Sequence, residues 1–133
     1  MSQASNQIVK SLIAGESFAS KQYYAVMMDT TNNTVVVAGT PAAEGTHVIG
    51  IVQNKPADGE AASVAIGGTS KLVMAATCDI GEKIMSSSGK GTPVDGDQKS
   101  VIGIALEAAT NGDGDIIEVL LTPGGVAQAN ESD

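Results

Sequence analysis

Two short β-branched runs near the C-terminus, separated by a turn sequence, constrain the fold more than any other feature of the chain. Residues 101–106 (VIGIAL) and 116–121 (IIEVLL) each have the length and composition of a buried strand. Between them lie residues 111–115 (NGDGD), whose glycines accept positive φ and whose Asn and Asp side chains bond their own backbone. This stretch therefore predicts a β-hairpin with a polar tip.

A weaker copy of the same pattern lies earlier in the chain. Residues 48–52 (VIGIV) repeat the Val-Ile-Gly-Ile core, residues 58–60 (DGE) repeat the polar tip, and residues 63–68 (SVAIGG) repeat the exit strand. Internal similarity of this kind indicates a repeated structural unit. We therefore predict two related hairpin units, at about residues 46–68 and 100–125.

The remaining residues favour an all-β fold. Short apolar runs alternate with turn signals at near-regular spacing, and no stretch has a convincing helical period. The prediction is one small β-barrel or sandwich-like domain over residues 15–123. Residues 124–133 have no core pattern and are expected to form a disordered polar tail.

The N-terminal segment, residues 1–14, has two interpretations. It contains an apolar stripe made by Ile8, Val9, Leu12 and Ile13. A free segment of this kind can add to the sheet edge of a neighbouring molecule as an arm. It can equally be the first strand of its own barrel. These four side chains are the predicted contact residues.

Composition limits both the core and the partners. With one Phe, two Tyr and no Trp, the core must be built from small side chains, and burial against identical subunits is one remedy. The net charge of −8 and the lack of a basic patch argue against nucleic acid and anionic membranes as partners. A single Cys fits a reducing compartment, and no apolar run reaches the ~20 residues of a membrane span. A soluble protein made in the cytoplasm is expected.

Candidate catalytic and metal-binding residues are few. His47 and Cys78 are the only residues of their kinds and lie on unrelated segments, so they predict neither a nucleophile pair nor a zinc site. The tip at residues 111–115 has the alternating oxygens of a calcium loop, but Glu118 comes too early to complete one. We predict hairpin turns, no catalytic residues and no cofactor. A ligand-binding or calcium-binding β-barrel module remains an alternative.

Three blocks of the chain, in this order, resemble the capsid decoration (cement) proteins of tailed bacteriophages. The similarity extends over about residues 8–122. The blocks are residues 19–26 (ASKQYYAV), residues 50–56 (GIVQNKP) with 59–62 (GEAA), and residues 101–109 (VIGIALEAA) with 112–115 (GDGD) and 117–121 (IEVLL).

The resemblance implies a β-rich accessory protein without catalytic residues. Such a protein binds the outer surface of an assembled icosahedral shell, usually as a homotrimer, and its partner is the major capsid protein. It would be made in the host cytoplasm and located on the virion. The resemblance does not itself identify contact residues, and the apolar stripe of Ile8, Val9, Leu12 and Ile13 supplies the candidate contacts with the capsid or a neighbouring subunit. The alternative within the same class is another virion component, such as a tail or spike protein.

Overall fold

The computed structural model describes residues 7–29, 32–38, 47–94 and 100–126, and these contain ten β-strands and no helix. The strands are β1 (Ile8–Ile13), β2 (Ala25–Met28), β3 (Val35–Val37), β4 (Val48–Val52), β5 (Ala61–Gly67), β6 (Thr69–Val73), β7 (Lys83–Ser87), β8 (Lys90–Pro93), β9 (Ser100–Ala105) and β10 (Ile116–Val126). The predicted all-β class is confirmed.

The ten strands form two antiparallel sheets with the same topology. The first sheet has the order β1-β5-β4-β2-β3, and the second has the order β6-β10-β9-β7-β8. Adding five to each strand number converts the first order into the second. The chain is therefore two copies of one five-stranded unit, which we call unit 1 (residues 7–67) and unit 2 (residues 69–126). The repeat thus extends beyond the two hairpins.

Neither sheet closes into a barrel, so the barrel alternative is wrong. Among the residues that the structure describes, the chain segments of the two edge strands of each sheet are joined by one isolated parallel bridge, between Ala14 and Val35 in unit 1 and between Met74 and Gly91 in unit 2. A single bridge does not provide the continuous ladder of hydrogen bonds that removes sheet edges in a barrel. The same bridge at corresponding places is further evidence of the repeat.

The glycine of each Val-Ile-Gly-Ile strand is required by a close approach of backbones. A Cβ added at Gly50 would lie 2.1 Å from the carbonyl oxygen of Ala65, and one added at Gly103 would lie 2.1 Å from that of Leu120. No side chain fits at that distance, and a glycine inside a strand often marks such an approach. The repeated sequence motif therefore records a repeated packing constraint between β4 and β5 and between β9 and β10.

At each end of the chain, the structure differs from one of the sequence-based interpretations. Of the two alternatives for the N-terminal segment, the structure has the strand, since β1 pairs with β5 in its own sheet. At the other end, residues 124–126 are not a disordered tail, because β10 resumes after a bulge and pairs Gly125 with Val101. Residues 95–99 and 127–133 lie outside the described residues.

The buried apolar side chains form two clusters. One lies inside unit 1 around Phe18 and contains Ala14, Val26, Val35, Val52, Ala62 and Val64. The other lies inside unit 2 and also takes in the back of the first sheet, including Val48, Ile51 and Ala65. Strand β4 is consequently buried on both faces. This shared cluster joins the two units into one body.

Candidate functional site

The two residues that sequence considered for chemistry, Cys78 and His47, lie in different units of the part of the chain described. Cys78 lies in the β6–β7 loop, is 6% exposed and packs in the second core cluster. Burial raises the pKa of its thiol, and the nearby Glu82 and Asp79 raise it further. His47 precedes β4 in the other unit. Among the described residues, no three His, Cys, Asp or Glu side chains are grouped to hold a metal ion.

The acidic hairpin tip of unit 2 uses its carboxylates within the protein. Asp115 Oδ2 accepts hydrogen bonds from the backbone N–H groups of Asn111 (2.9 Å) and Gly112 (3.3 Å). Asp113 Oδ1 accepts one from Lys90 Nζ at 2.8 Å, and this bond raises the lysine pKa. Asp115 thus satisfies amides of its own hairpin turn, and Asp113 ties the turn to Lys90 of β8.

The surface feature that stands out is apolar. Eight large apolar side chains of the described residues are exposed, and they fall into two groups of four. The first group, which we call the edge patch, lies on β1 and β5 at one edge of unit 1 and consists of Ile8, Val9, Ile13 and Ile66; by the pairing register the first three share one face of the sheet and Ile66 lies on the other. The second, the face patch, lies on or beside the outer face of the second sheet and consists of Ile80, Leu106, Ile116 and Leu120. Grouped exposed apolar side chains of this kind mark interaction surfaces.

The edge patch includes three of the four predicted contact residues. Ile8, Val9 and Ile13 are 62%, 49% and 49% exposed. Leu12 points the other way, pairs with Ala62 and packs against the core of unit 1. Alternation along a strand separates Leu12 from Val9 and Ile13, because neighbouring side chains point to opposite faces, whereas Ile8 lies beyond the register shift between Ile8 and Val9. Whether the three exposed residues contact a capsid or a subunit stays a prediction.

Sequence reasoning missed the face patch because β10 looks like a fully buried strand. Ile116 and Leu120 alternate with Ile117 and Val119, so both faces of this strand are apolar. Such strands are typically covered on both sides. Here the face bearing Ile117 and Val119 is in the core, whereas Ile116 is 52% exposed and Leu120 is 41% exposed. The sequence shows that both faces of β10 are apolar, but it does not show which of the two faces the rest of the chain covers.

The fold and its apolar surfaces can now be set beside known proteins. A family model described as phage cement protein matches residues 21–121. The chain belongs to the phage cement protein family. It is accordingly a structural protein of the phage virion, associated with the capsid.

A solved structure shares the fold of this family member. It is described as the head fiber gp8.5 N base in bacteriophage phi29, with a TM-score of 0.63, 13% sequence identity, and coverage of 87% of this chain and 94% of that chain. A comparison with curated protein sequences finds no match. Within the described residues, no helix is long and apolar enough to cross a membrane.

Proposed function

We propose that this protein decorates the outer surface of an assembled phage shell and stabilises the shell by bridging neighbouring capsid subunits. The observation that carries the proposal is the match to the cement protein family over residues 21–121. We further propose that the protein acts as a homotrimer and that the major capsid protein is its partner. It performs no catalysis in this role.

The physical basis of such stabilisation is linkage. A ligand that binds one state of a lattice and not another favours the state it binds, by an amount set by its concentration and affinity. A protein that bridges two capsid subunits opposes any motion that separates them. Several attachment points on one oligomer raise the overall affinity without strong individual contacts. The two units of this chain share one core cluster, which suits a rigid bridge.

Shell binding is tested with purified protein and undecorated shells. We expect saturable co-sedimentation and a higher temperature of shell disruption at saturation. Shells incubated with an unrelated acidic protein of similar size serve as the control. Full occupancy with unchanged resistance to heat and chelators would contradict the stabilising role.

A tail or spike component is the alternative within the virion. The solved structure with the same fold is the base of a head fiber, and this favours the head as the location we propose. Gold-labelled antibody against this protein should mark the shell surface of intact particles. Label confined to the tail would overturn the decoration role.

A further inference from the structure

We infer that copies of this protein associate head to tail, with the edge patch of one copy packed on the face patch of the next. The contact between copies would repeat the contact that unit 2 makes with unit 1 inside the chain. This inference rests on the self-association included in the proposed function, and it names the surfaces involved.

The contact inside the chain joins two different surfaces. Unit 1 contributes the back of its sheet, where Ile51 and Ala65 are fully buried in the shared core cluster. Unit 2 contributes its own edge, where Ser70 and Leu121 are buried. Because the two surfaces are not the same part of the repeat, the contact is heterologous. Each unit therefore keeps one unused copy of a surface that the other unit has buried.

The backbone geometry identifies one pair of corresponding positions. Across the internal contact, the Val73 N–H donates to the Tyr23 carbonyl oxygen at 3.1 Å. In unit 2 the position of Tyr23 is taken by Gly81, since both residues have a positive φ (68° and 90°). In addition, the Tyr23 N–H donates to the carbonyl oxygen of Val52, the last residue of β4, and the Gly81 N–H donates to that of Ala105, the last residue of β9. In unit 1 the position of Val73 is taken by Ile13, since each immediately precedes the residue of the parallel bridge. A Cβ at Gly81 would meet nothing within 4 Å.

A side-chain contact gives a second pair. Gln53 Nε2 donates to Ser70 Oγ at 2.8 Å across the internal contact. Leu106 corresponds to Gln53, because Leu106 directly follows β9 and Gln53 directly follows β4. Lys10 corresponds to Ser70, because Lys10 has the same place in the pairing of β1 with β5 as Ser70 has in the pairing of β6 with β10. Leu106 and Lys10 are both exposed. Lys10 would then lie beside the exposed Glu107, and these opposite charges favour the contact.

The exposed apolar side chains coincide with these unused surfaces. Leu120, 41% exposed, corresponds to the fully buried Ala65, because each supplies the carbonyl oxygen that approaches the strand glycine. Ile66, 36% exposed, corresponds in the same way to Leu121, which is 7% exposed. Repeating the internal contact would therefore bury at least Leu120 and Ile66, one side chain from each patch.

The geometry also limits the assembly. Repeated heterologous contacts give either a closed ring or an open filament, depending on the rotation between neighbours. With two units in each copy, three copies would place six similar units in a ring. This arrangement agrees with the proposed homotrimer.

Mixing two complementary variants tests the inference. Leu120→Glu disables the face patch and Ile13→Glu disables the edge patch, while Ala57→Glu makes the same charge change at an exposed site outside both. By native mass spectrometry, we expect about three times the 13.3 kDa chain mass for the wild type and for Ala57→Glu. Each patch variant alone should be monomeric. An equimolar mixture should form 1:1 heterodimers, because one intact edge meets one intact face.

Several results would overturn the inference. These are a wild type that stays monomeric across a dilution series, a mass change in only one patch variant, and a mixture that contains no heterodimer although circular dichroism shows both variants folded. Should a patch variant fail to fold, Lys10→Cys with Leu106→Cys in a Cys78→Ser background is the second test. Oxidation should link copies covalently, and reduction should release them. The absence of linked copies, free in solution or on shells, is equally contrary to the inference.

The shell-binding assay separates this inference from the proposed function. A wild type that saturates shells without any covalent species in the cysteine variant would overturn the head-to-tail contact and leave the decoration role standing. Linked rings that do not bind shells would leave the contact standing and overturn the decoration role.

Discussion

The two units have the same topology but distribute the volume of their cores differently. Unit 1 places Phe18 in the core after a small Ala14, whereas unit 2 places Met74 and then Cys78 at the corresponding positions. The correspondence is visible in the backbone, since the N–H groups of Phe18 and Cys78 both bond a carbonyl in the loop before β5 or β10. A shared backbone therefore accepts different distributions of side-chain volume, as expected where total volume and patterning are kept.

A second difference concerns the junction between the units. Tyr23 adopts a positive φ of 68°, which costs about 1–2 kcal/mol for a residue with a side chain. The equivalent residue in unit 2 is Gly81, which adopts this conformation readily. Tyr23 packs against the shared cluster, and Lys71 Nζ lies 5.7 Å from its ring centroid. The strained Tyr23 therefore lies in the contact between the two units, whereas Gly81 lies at the equivalent place in unit 2, where the surface is open.

The largest expected effect comes from Phe18 and Cys78, two equivalent core positions that differ strongly in volume. Phe18→Ala should lower the free energy of unfolding by about 3–5 kcal/mol, because it leaves a cavity in a small cluster. Cys78→Ala should cost only about 1 kcal/mol, since little apolar volume is lost. Chemical denaturation of both variants measures the difference. Equal losses would mean that unit 1 does not depend on its one large side chain.

The strand glycines should show where the units are alike. Gly50→Ala and Gly103→Ala each place a Cβ 2.1 Å from a carbonyl oxygen of the paired strand. Because backbone cannot move aside cheaply, we expect each substitution to cost about 3 kcal/mol, at the upper end of overpacking effects. Gly50→Ala should be the worse of the two, since Val64 Cγ1 would also lie 2.9 Å away. Thermal melting of both variants checks the order, and a neutral effect at either site would contradict the close approach.

The different distribution of side-chain volume in the two units can be tested by giving unit 2 the residues of unit 1. Gly91 corresponds to Val35, and a Cβ at Gly91 would lie 2.6 Å from Met74 Sδ. Gly91→Val alone should destabilise the protein, and so should Met74→Ala alone. The double variant imitates the Ala14–Val35 pair of unit 1 and should lose about 1–2 kcal/mol less than the sum of the single losses. Strict additivity would show that the two positions do not share one space.

The sequence revealed the repeat only where the backbone demands a particular residue. Gly50 and Gly103 are such positions, so the two hairpins could be predicted before the structure was known. Outside the hairpins the units share topology but few residues, and equivalent loop positions such as Phe18 and Cys78 hold side chains of different volume. The face patch was missed for a related reason. The apolar residues of β10 predict burial of both faces of the strand, but within this chain only the face bearing Ile117 and Val119 is buried.

The smallest expected effect is a dependence on alkaline pH that only one unit has. Burial raises the pKa of the Cys78 thiol above its ordinary value of 9.0, whereas Phe18 at the equivalent position does not titrate. The folded state therefore favours the protonated thiol. The stability that follows is complete below the pKa of the unfolded chain and is lost as the pH rises through the folded pKa. The melting temperatures of the wild type and Cys78→Ala should accordingly converge between pH 8 and about pH 11. Because the two proteins differ only at residue 78, a gap that stays constant or widens with pH would mean that the thiol is not held neutral by burial.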